Sequence, residues 1–296
     1  MLTYQFRKGL IRIVETTGQF EENNKKTKAD ILLRLEFLQS SNEIIQFLNL
    51  KNSFCLLEPN YIIDLHQTEE ELFMKLHRSA KNPIKKTLKQ EDLQYIEIIN
   101  PSSQELKDFV LFYNKFAKRK QIEECNIEKI SAYSEQGSLV IGLIKDAGND
   151  DIISAHTYFC IGDHAYGMYA ATKEYVAGDS YKGQLIGRAN RYLYWMDIMS
   201  CKRKGLKWFN FGGKIINPHD DNGKNINRFK ESFGGMNGYN LRIYCPQTFV
   251  GWIALNLLRL KFIWSNNPEY MYAKKFLEKS KCNYLNQDQK AIHKEQ

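Results

Sequence analysis

The stretch Gly205–Gly235, GLKWFNFGGKIINPHDDNGKNINRFKESFGG, constrains this chain more than any other. It predicts a strand over Lys207–Phe211, a glycine pair, a polar loop, a short helix carrying Phe229 and Lys230, and a second glycine pair. Glycines permit backbone geometries and close approaches that a Cβ would block. The loop before Lys230 is rich in hydrogen-bonding groups, an arrangement able to hold one positive charge beside a reacting group. Phe229 and Phe233, four residues apart, form the buried side of that helix and turn Lys230 about 100° away.

Upstream, the order of elements is legible from Thr68 onward. Thr68-Glu69-Glu70-Glu71 is a capping box, so a helix starts at Glu69. Asn82-Pro83 has the form of a fresh N-cap and first helical residue, opening a second helix with Lys85, Lys86 and Lys89. With Lys75, Arg78 and Lys81 these make the densest basic patch in the sequence. It serves either phosphate contact or a solvated helix face. Leu93–Ile99 predicts a strand. Pro101-Ser102-Ser103 then opens a helix expected to bury Leu106, Phe109, Val110, Tyr113, Phe116 and Ala117.

A β meander follows over Ser138–Lys145, Ile152–Ile161 and His164–Thr172, with turn residues between the strands. Lys182–Lys204 reads as a long helix with Leu185, Ala189, Leu193 and Met196 in one stripe. Arg203-Lys204-Gly205 ends it. A hairpin turn at Gly162-Asp163 pairs Cys160 with Ala165, Tyr158 with Gly167, and His156 with Tyr169. That face mixes small residues with His156, Tyr158 and Tyr169 and could wall a pocket, which makes His156 a candidate proton acceptor. A lone histidine on such a strand is more often structural, and a slip of one residue turns it to the other face. Residues 1–63 are hard to read: Glu21–Lys28 is a charged turn, and Ile31–Phe37 is either a strand or a helix, the apolar spacing not deciding.

The Gly205–Gly235 stretch resembles the FemABX family, peptidoglycan-bridge aminoacyltransferases, and related GNAT-like acyltransferases. The matching residues are Gly205, Asn210-Phe211-Gly212-Gly213 and Phe229-Lys230-Glu231-Ser232-Phe233-Gly234. The family's usual Asp stands here as Asn210. Lys81-Asn82-Pro83-Ile84-Lys85-Lys86 is similar to a basic motif on an early helix of that family. The resemblance implies an α/β (α+β) fold of mixed, mostly antiparallel sheets flanked by helices, in two GNAT-like halves: residues 1–135, then 136–245 with the F-K-x-x-F-G motif. A helical tail follows over 246–296. It implies catalysis by Lys230, with Asn210, Phe211, Gly212, Gly213, Phe229, Lys85 and Lys86 shaping or binding the substrate site; the hairpin face adds Tyr169 as a candidate substrate-binding residue. The GNAT phosphate turn is degenerate in Tyr181–Arg188, where the glycine spacing is wrong. That weakens an acyl-CoA donor relative to aminoacyl-tRNA.

The expected reaction is N-acyl transfer from aminoacyl-tRNA or acyl-CoA, each a co-substrate, to an amine of a nucleotide- or lipid-linked cell-wall or surface-polysaccharide precursor. No tightly bound cofactor is expected. The alternative is a non-catalytic RNA- or membrane-surface-binding protein on the same scaffold. A net charge of +8 favours anionic partners in either case. Six scattered cysteines without a C-x-x-C pair argue against a zinc site or a disulfide scaffold. His219-Asp220-Asp221 has no second ligand cluster, so no metal is expected. The N-terminus lacks a signal-like apolar core, and no apolar run reaches the ~18 residues of a membrane span. A cytoplasmic protein is expected, either free or at the inner face of the membrane. Thr248–Trp264 is strongly apolar. It either packs as a core helix or lies on a membrane surface. Residues 280–296 are expected to fray.

Overall fold

A computed structural model describes residues 1–18, 28–44, 47, 50, 52–89, 93–174, 180–217 and 219–278. The charged turn expected at Glu21–Lys28 lies almost wholly outside them, and the frayed tail at 280–296 entirely so. The unreadable first 63 residues supply four strands: β1 (Leu2–Lys8), β2 (Ile11–Thr17), β3 (Ile31–Leu38) and β4 (Phe54–Asp64). Helices α1 (Glu69–Lys75) and α2 (Arg78–Lys89) follow, then β5 (Leu93–Ile99), α3 (Ser103–Lys120) and α4 (Ile127–Glu135). The meander is β6 (Leu139–Asp146), β7 (Ile152–Ile161) and β8 (His164–Thr172). The chain continues through α5 (Ser180–Arg203), β9 (Trp208–Gly213), α6 (Asp221–Glu231), β10 (Met236–Pro246) and α7 (Phe249–Trp264).

The strands form one ten-stranded sheet in the order β1-β2-β3-β10-β4-β9-β8-β7-β6-β5. Among the described residues only β2–β3 and β8–β9 pair in parallel. This is the mixed, mostly antiparallel α/β architecture expected. Strand β10 enters between β3 and β4, while β5 sits at the far edge against β6. The first three strands and the last one thus share one end of the sheet, and the middle of the chain supplies the other.

Local chemistry accounts for the boundaries. Thr68 and Ser102 each form reciprocal capping boxes, with Glu71 and Glu105. Asn82-Pro83 does not open a helix, contrary to the sequence reading. The break falls earlier, where Leu76 is extended and ends α1. His77 then accepts from the backbone N–H groups of Ala80 and Lys81, so Pro83 lies inside α2. Proline has no N–H to give the Ser79 carbonyl, four residues back.

Helices cover both faces of the β6–β8 sheet. On one side, α3 and α4 bury Phe109, Tyr113, Ile130 and Tyr133 against Leu139, Ile141 and Phe159. On the other, α5 lays Trp195, Ile198, Met199 and Cys201 over Val140, Tyr158 and Ala165. Gly142 has no side chain because the Asp197 carboxylate fills that space, 2.3 Å from where a Cβ would stand.

Candidate active site

The parallel ladder of β8 and β9 registers only three residue pairs and ends at Tyr166 and Asn210. On the other side, β4 and β9 shift register between Asn60 and Ile62. The end of β9 therefore leaves β8 while still pairing with β4 as far as Gly213, and buried amides hold it there. Asn210 accepts from the Gly212 N–H at 2.8 Å and donates to Asn240 Oδ1 at 3.1 Å. Asn60 also donates to Asn240, whose Nδ2 donates to the Tyr166 hydroxyl at 3.1 Å. Asn210 thus works through hydrogen bonds and has no ionic partner among the described residues. Gly212 has φ +79°, a conformation that favours glycine.

Helix α6 brings Lys230 back to this turn. Asp220 caps the helix, accepting from the Gly223 N–H at 2.8 Å. At its other end, Tyr61 donates to Glu231, and Lys214 lies 4.6 Å above the Tyr61 ring. The second glycine pair makes close approaches: a Cβ on Gly234 would stand 2.6 Å from the Lys75 carbonyl, and one on Gly235 2.7 Å from that of Ile62. Phe233 is fully buried, and Phe229 is half-buried against it at 5.4 Å. Phe211 and Tyr194 complete this aromatic wall.

The Lys230 ammonium rests on the Gly213 carbonyl at 2.6 Å and on that of Gly212 at 3.4 Å. Burial pulls its pKa down to about 8. An ammonium has three donors. Two are directed at the glycine carbonyls, and one is left for another acceptor. Lys230, Asn210, Phe211, Gly212, Gly213 and Phe229 therefore lie together around the end of β9.

Other expected residues do not join them. His156 is a buried core residue, with Nδ1 on Asp197 Oδ2 at 2.9 Å and Nε2 on Asn190 Oδ1 at 2.9 Å. Both ring nitrogens are occupied, and the Tyr194 ring lies 4.0 Å away. The face expected to wall a pocket is covered by α5. Cys160–Ala165 and Tyr158–Gly167 pair as expected, but His156 pairs with Ala170. The cause is a bulge between Thr157 and Tyr158, where β8 carries an extra residue, Met168. Tyr169 turns to the opposite face, packs on Tyr113 and accepts from the Asn126 N–H at 3.1 Å.

The basic patch also divides. Lys81 and Lys85 lie over the Phe73 ring at 5.4 and 5.8 Å. Lys86 instead faces a cavity of about 410 Å³ between α2 and α5. Ser79, Asn82, Pro83, Gln184, Gly187, Arg188 and Arg191 complete its lining. Arg188 is only 7% exposed, yet its Nε and Nη2 have no hydrogen-bond partner among the described residues. Arg191 donates to the Gly187 carbonyl at 2.9 Å and leaves Nε unpartnered. Its guanidinium stacks 5.2 Å from the Phe229 ring, one residue from Lys230. A buried guanidinium without acceptors is costly, and an anion supplies what it lacks. Sequence reasoning looked here for backbone N–H groups and missed both arginines. The available signal was two arginines three residues apart on a helix otherwise rich in apolar residues.

No family model matches this chain, and no curated protein matches it. Solved structures do. A crystal structure of FemX aligns with TM-score 0.58 at 11% identity, covering 80% of this chain and 83% of that one. The C-terminal domain of a protein named as a lysylphosphatidylglycerol synthetase, from Agrobacterium fabrum, gives 0.53 at 10% identity, over 88% and 85%. A protein of unknown function from Bacteroides thetaiotaomicron gives 0.50 at 12%, over 83% and 82%. At these identities the likeness is one of fold, and it is the fold that the Gly205–Gly235 motif implied.

Proposed function

We propose that the chain is an N-acyltransferase whose donor carries phosphate. The observation that supports this best is the position of Arg191, which lines the cationic cavity and stacks on Phe229 beside Lys230. One side chain thus joins a place for an anion to the lysine.

In the reaction, a neutral acceptor amine attacks the donor's carbonyl carbon. A C–N bond forms, and negative charge develops on the carbonyl oxygen. The free N–H of the Lys230 ammonium stabilises that charge. When the C–O or C–S bond breaks, Lys230 gives the leaving group its proton. The new amide nitrogen returns one to Lys230. Arg188, Arg191 and Lys86 hold the donor's phosphate while this occurs. Aminoacyl-tRNA and acyl-CoA both fit this description. The degenerate glycine turn favours the first, because the cavity offers side-chain cations rather than a glycine-rich row of backbone N–H groups. The resemblance to FemABX enzymes supports an amine on an envelope precursor as acceptor.

The test is product formation with each donor in turn. Transfer abolished by ribonuclease marks aminoacyl-tRNA, and release of a free thiol marks acyl-CoA. No product from either, with a full set of amine-bearing precursors, would overturn the proposal.

A further inference from the structure

Helix α7 turns its apolar residues outward. Phe249, Trp252, Ile253, Leu257, Leu260 and Trp264 fall within one arc of about 140° at 100° per residue. All six are exposed, Phe249 at 73%, Leu257 at 62% and Trp264 at 81%. Together they present apolar surface on the order of several hundred Å², at or beyond the largest patch of an ordinary monomer.

This pose is fixed. On the inner side, Gly251, Leu255 and Phe262 are buried. A Cβ at Gly251 would stand 1.8 Å from the Asp30 carbonyl oxygen, so backbone meets backbone there. Thr248 donates to Asp30 Oδ1 at 2.9 Å, Arg259 to the Ser53 carbonyl at 2.9 Å, and Lys274 to the Ile263 carbonyl at 2.7 Å. The helix is tied down at both ends and in the middle, with its apolar arc facing away from the sheet.

Sixteen residues span about 24 Å as a helix, short of a bilayer's ~30 Å hydrocarbon core. No described helix is long and apolar enough to cross a membrane. The helix can lie along a bilayer but not through it. Its charges are Arg259 and Lys261, with no acidic residue, on a chain of net charge +8. Tryptophans near both ends of the arc suit the boundary between headgroups and acyl chains. We propose that this face seats on the surface of an anionic bilayer.

The full chain would be sedimented with vesicles of phosphatidylcholine, with and without phosphatidylglycerol. The doubly substituted Leu257→Asp/Leu260→Asp chain would be run beside it. Both positions are exposed, so unchanged circular dichroism and melting are expected. The wild type should partition to the anionic vesicles, less so at high salt, with a blue shift of tryptophan emission. The variant should lose binding at least about tenfold, since two carboxylates would enter the apolar layer. Failure of the wild type to bind either vesicle would overturn the proposal. So would a wild-type dimer, seen by sedimentation equilibrium without lipid, that the double variant converts to a monomer; the face would then belong to a second copy. Neither result bears on the transfer chemistry, which is assayed without membranes.

Discussion

Replacing Arg188 with Met should strengthen the empty protein and weaken its grip on phosphate. Arg188 is buried with two N–H-bearing nitrogens unsatisfied among the described residues. Leaving one buried donor unpaired costs about 1–3 kcal/mol, and more for charged groups. Methionine keeps most of the packed stem and removes the donors. The unliganded variant should therefore gain about 1–3 kcal/mol, or several degrees in Tm at ~2–4 °C per kcal/mol for a chain of this size. Binding should move the other way. Hydrogen bonds to a charged group contribute about 1.5–3 kcal/mol, so affinity for inorganic pyrophosphate should fall roughly 10- to 150-fold. Calorimetric titration and thermal melts, at one fixed low salt, read both effects. At a hundred times its Kd, pyrophosphate should stabilise the wild type by about 2.7 kcal/mol and the variant far less. A variant less stable than wild type with unchanged pyrophosphate affinity would refute the reasoning. Arg188 would then be a structural cation and the cavity no anion site.

Other outcomes follow from the same geometry. Lys230 is a base whose folded pKa is lowered to about 8, so it is charged below that pH and neutral above it. The rate constant kcat/KM should fall about tenfold per unit above pH 8, and Lys230→Arg should remove that limb from whatever activity it retains. His156→Gln should leave kcat of the folded protein within a few-fold. It should cost about 1–3 kcal/mol in urea denaturation, because Asp197 and Asn190 each lose a buried hydrogen-bond partner. Gly234→Ala combines φ +75° with a Cβ 2.6 Å from the Lys75 carbonyl, so a loss of about 2 kcal/mol or more is expected by the same assay. Gly213→Ala, with nothing within 4 Å of its Cβ, is the control and should cost much less.

What the sequence disclosed and what it hid have physical causes. The capping boxes at Thr68 and Ser102, the meander strands and the long helix after them rest on local chemistry and period, which a sequence carries openly. The glycine pairs around Lys230 were equally legible, because only a close approach or a left-handed φ makes such a pattern useful. The place of Tyr169 was hidden by one residue, whereas His156 kept its expected face and was covered by α5. The bulge at Met168 changes the pairing of everything beyond Gly167, and no period-two pattern announces it. Pro83 misled for a similar reason: it has the form of a helix start, but His77 had already begun the helix. Strands β3 and β4 were illegible because they pair with the remote β10, whereas β1 and β2 form a local hairpin around Gly9 that the sequence reading missed. Arg188 and Arg191 read as polar interruptions of a helix until α2, a hundred residues earlier in the chain, is seen packed across from them.

The central claim is that one lysine, held on two glycine carbonyls, stabilises charge in an acyl transfer. The most direct measurement is transfer by the purified chain with charged tRNA or acetyl-CoA and a pool of amine-bearing envelope precursors, wild type beside Lys230→Ala. Product should form from one donor, and the substitution should lower kcat by about 10²–10³ while pyrophosphate affinity stays within a few-fold. Product formed equally fast by Lys230→Ala would contradict the claim, as would the absence of transfer from either donor by a chain that still binds RNA.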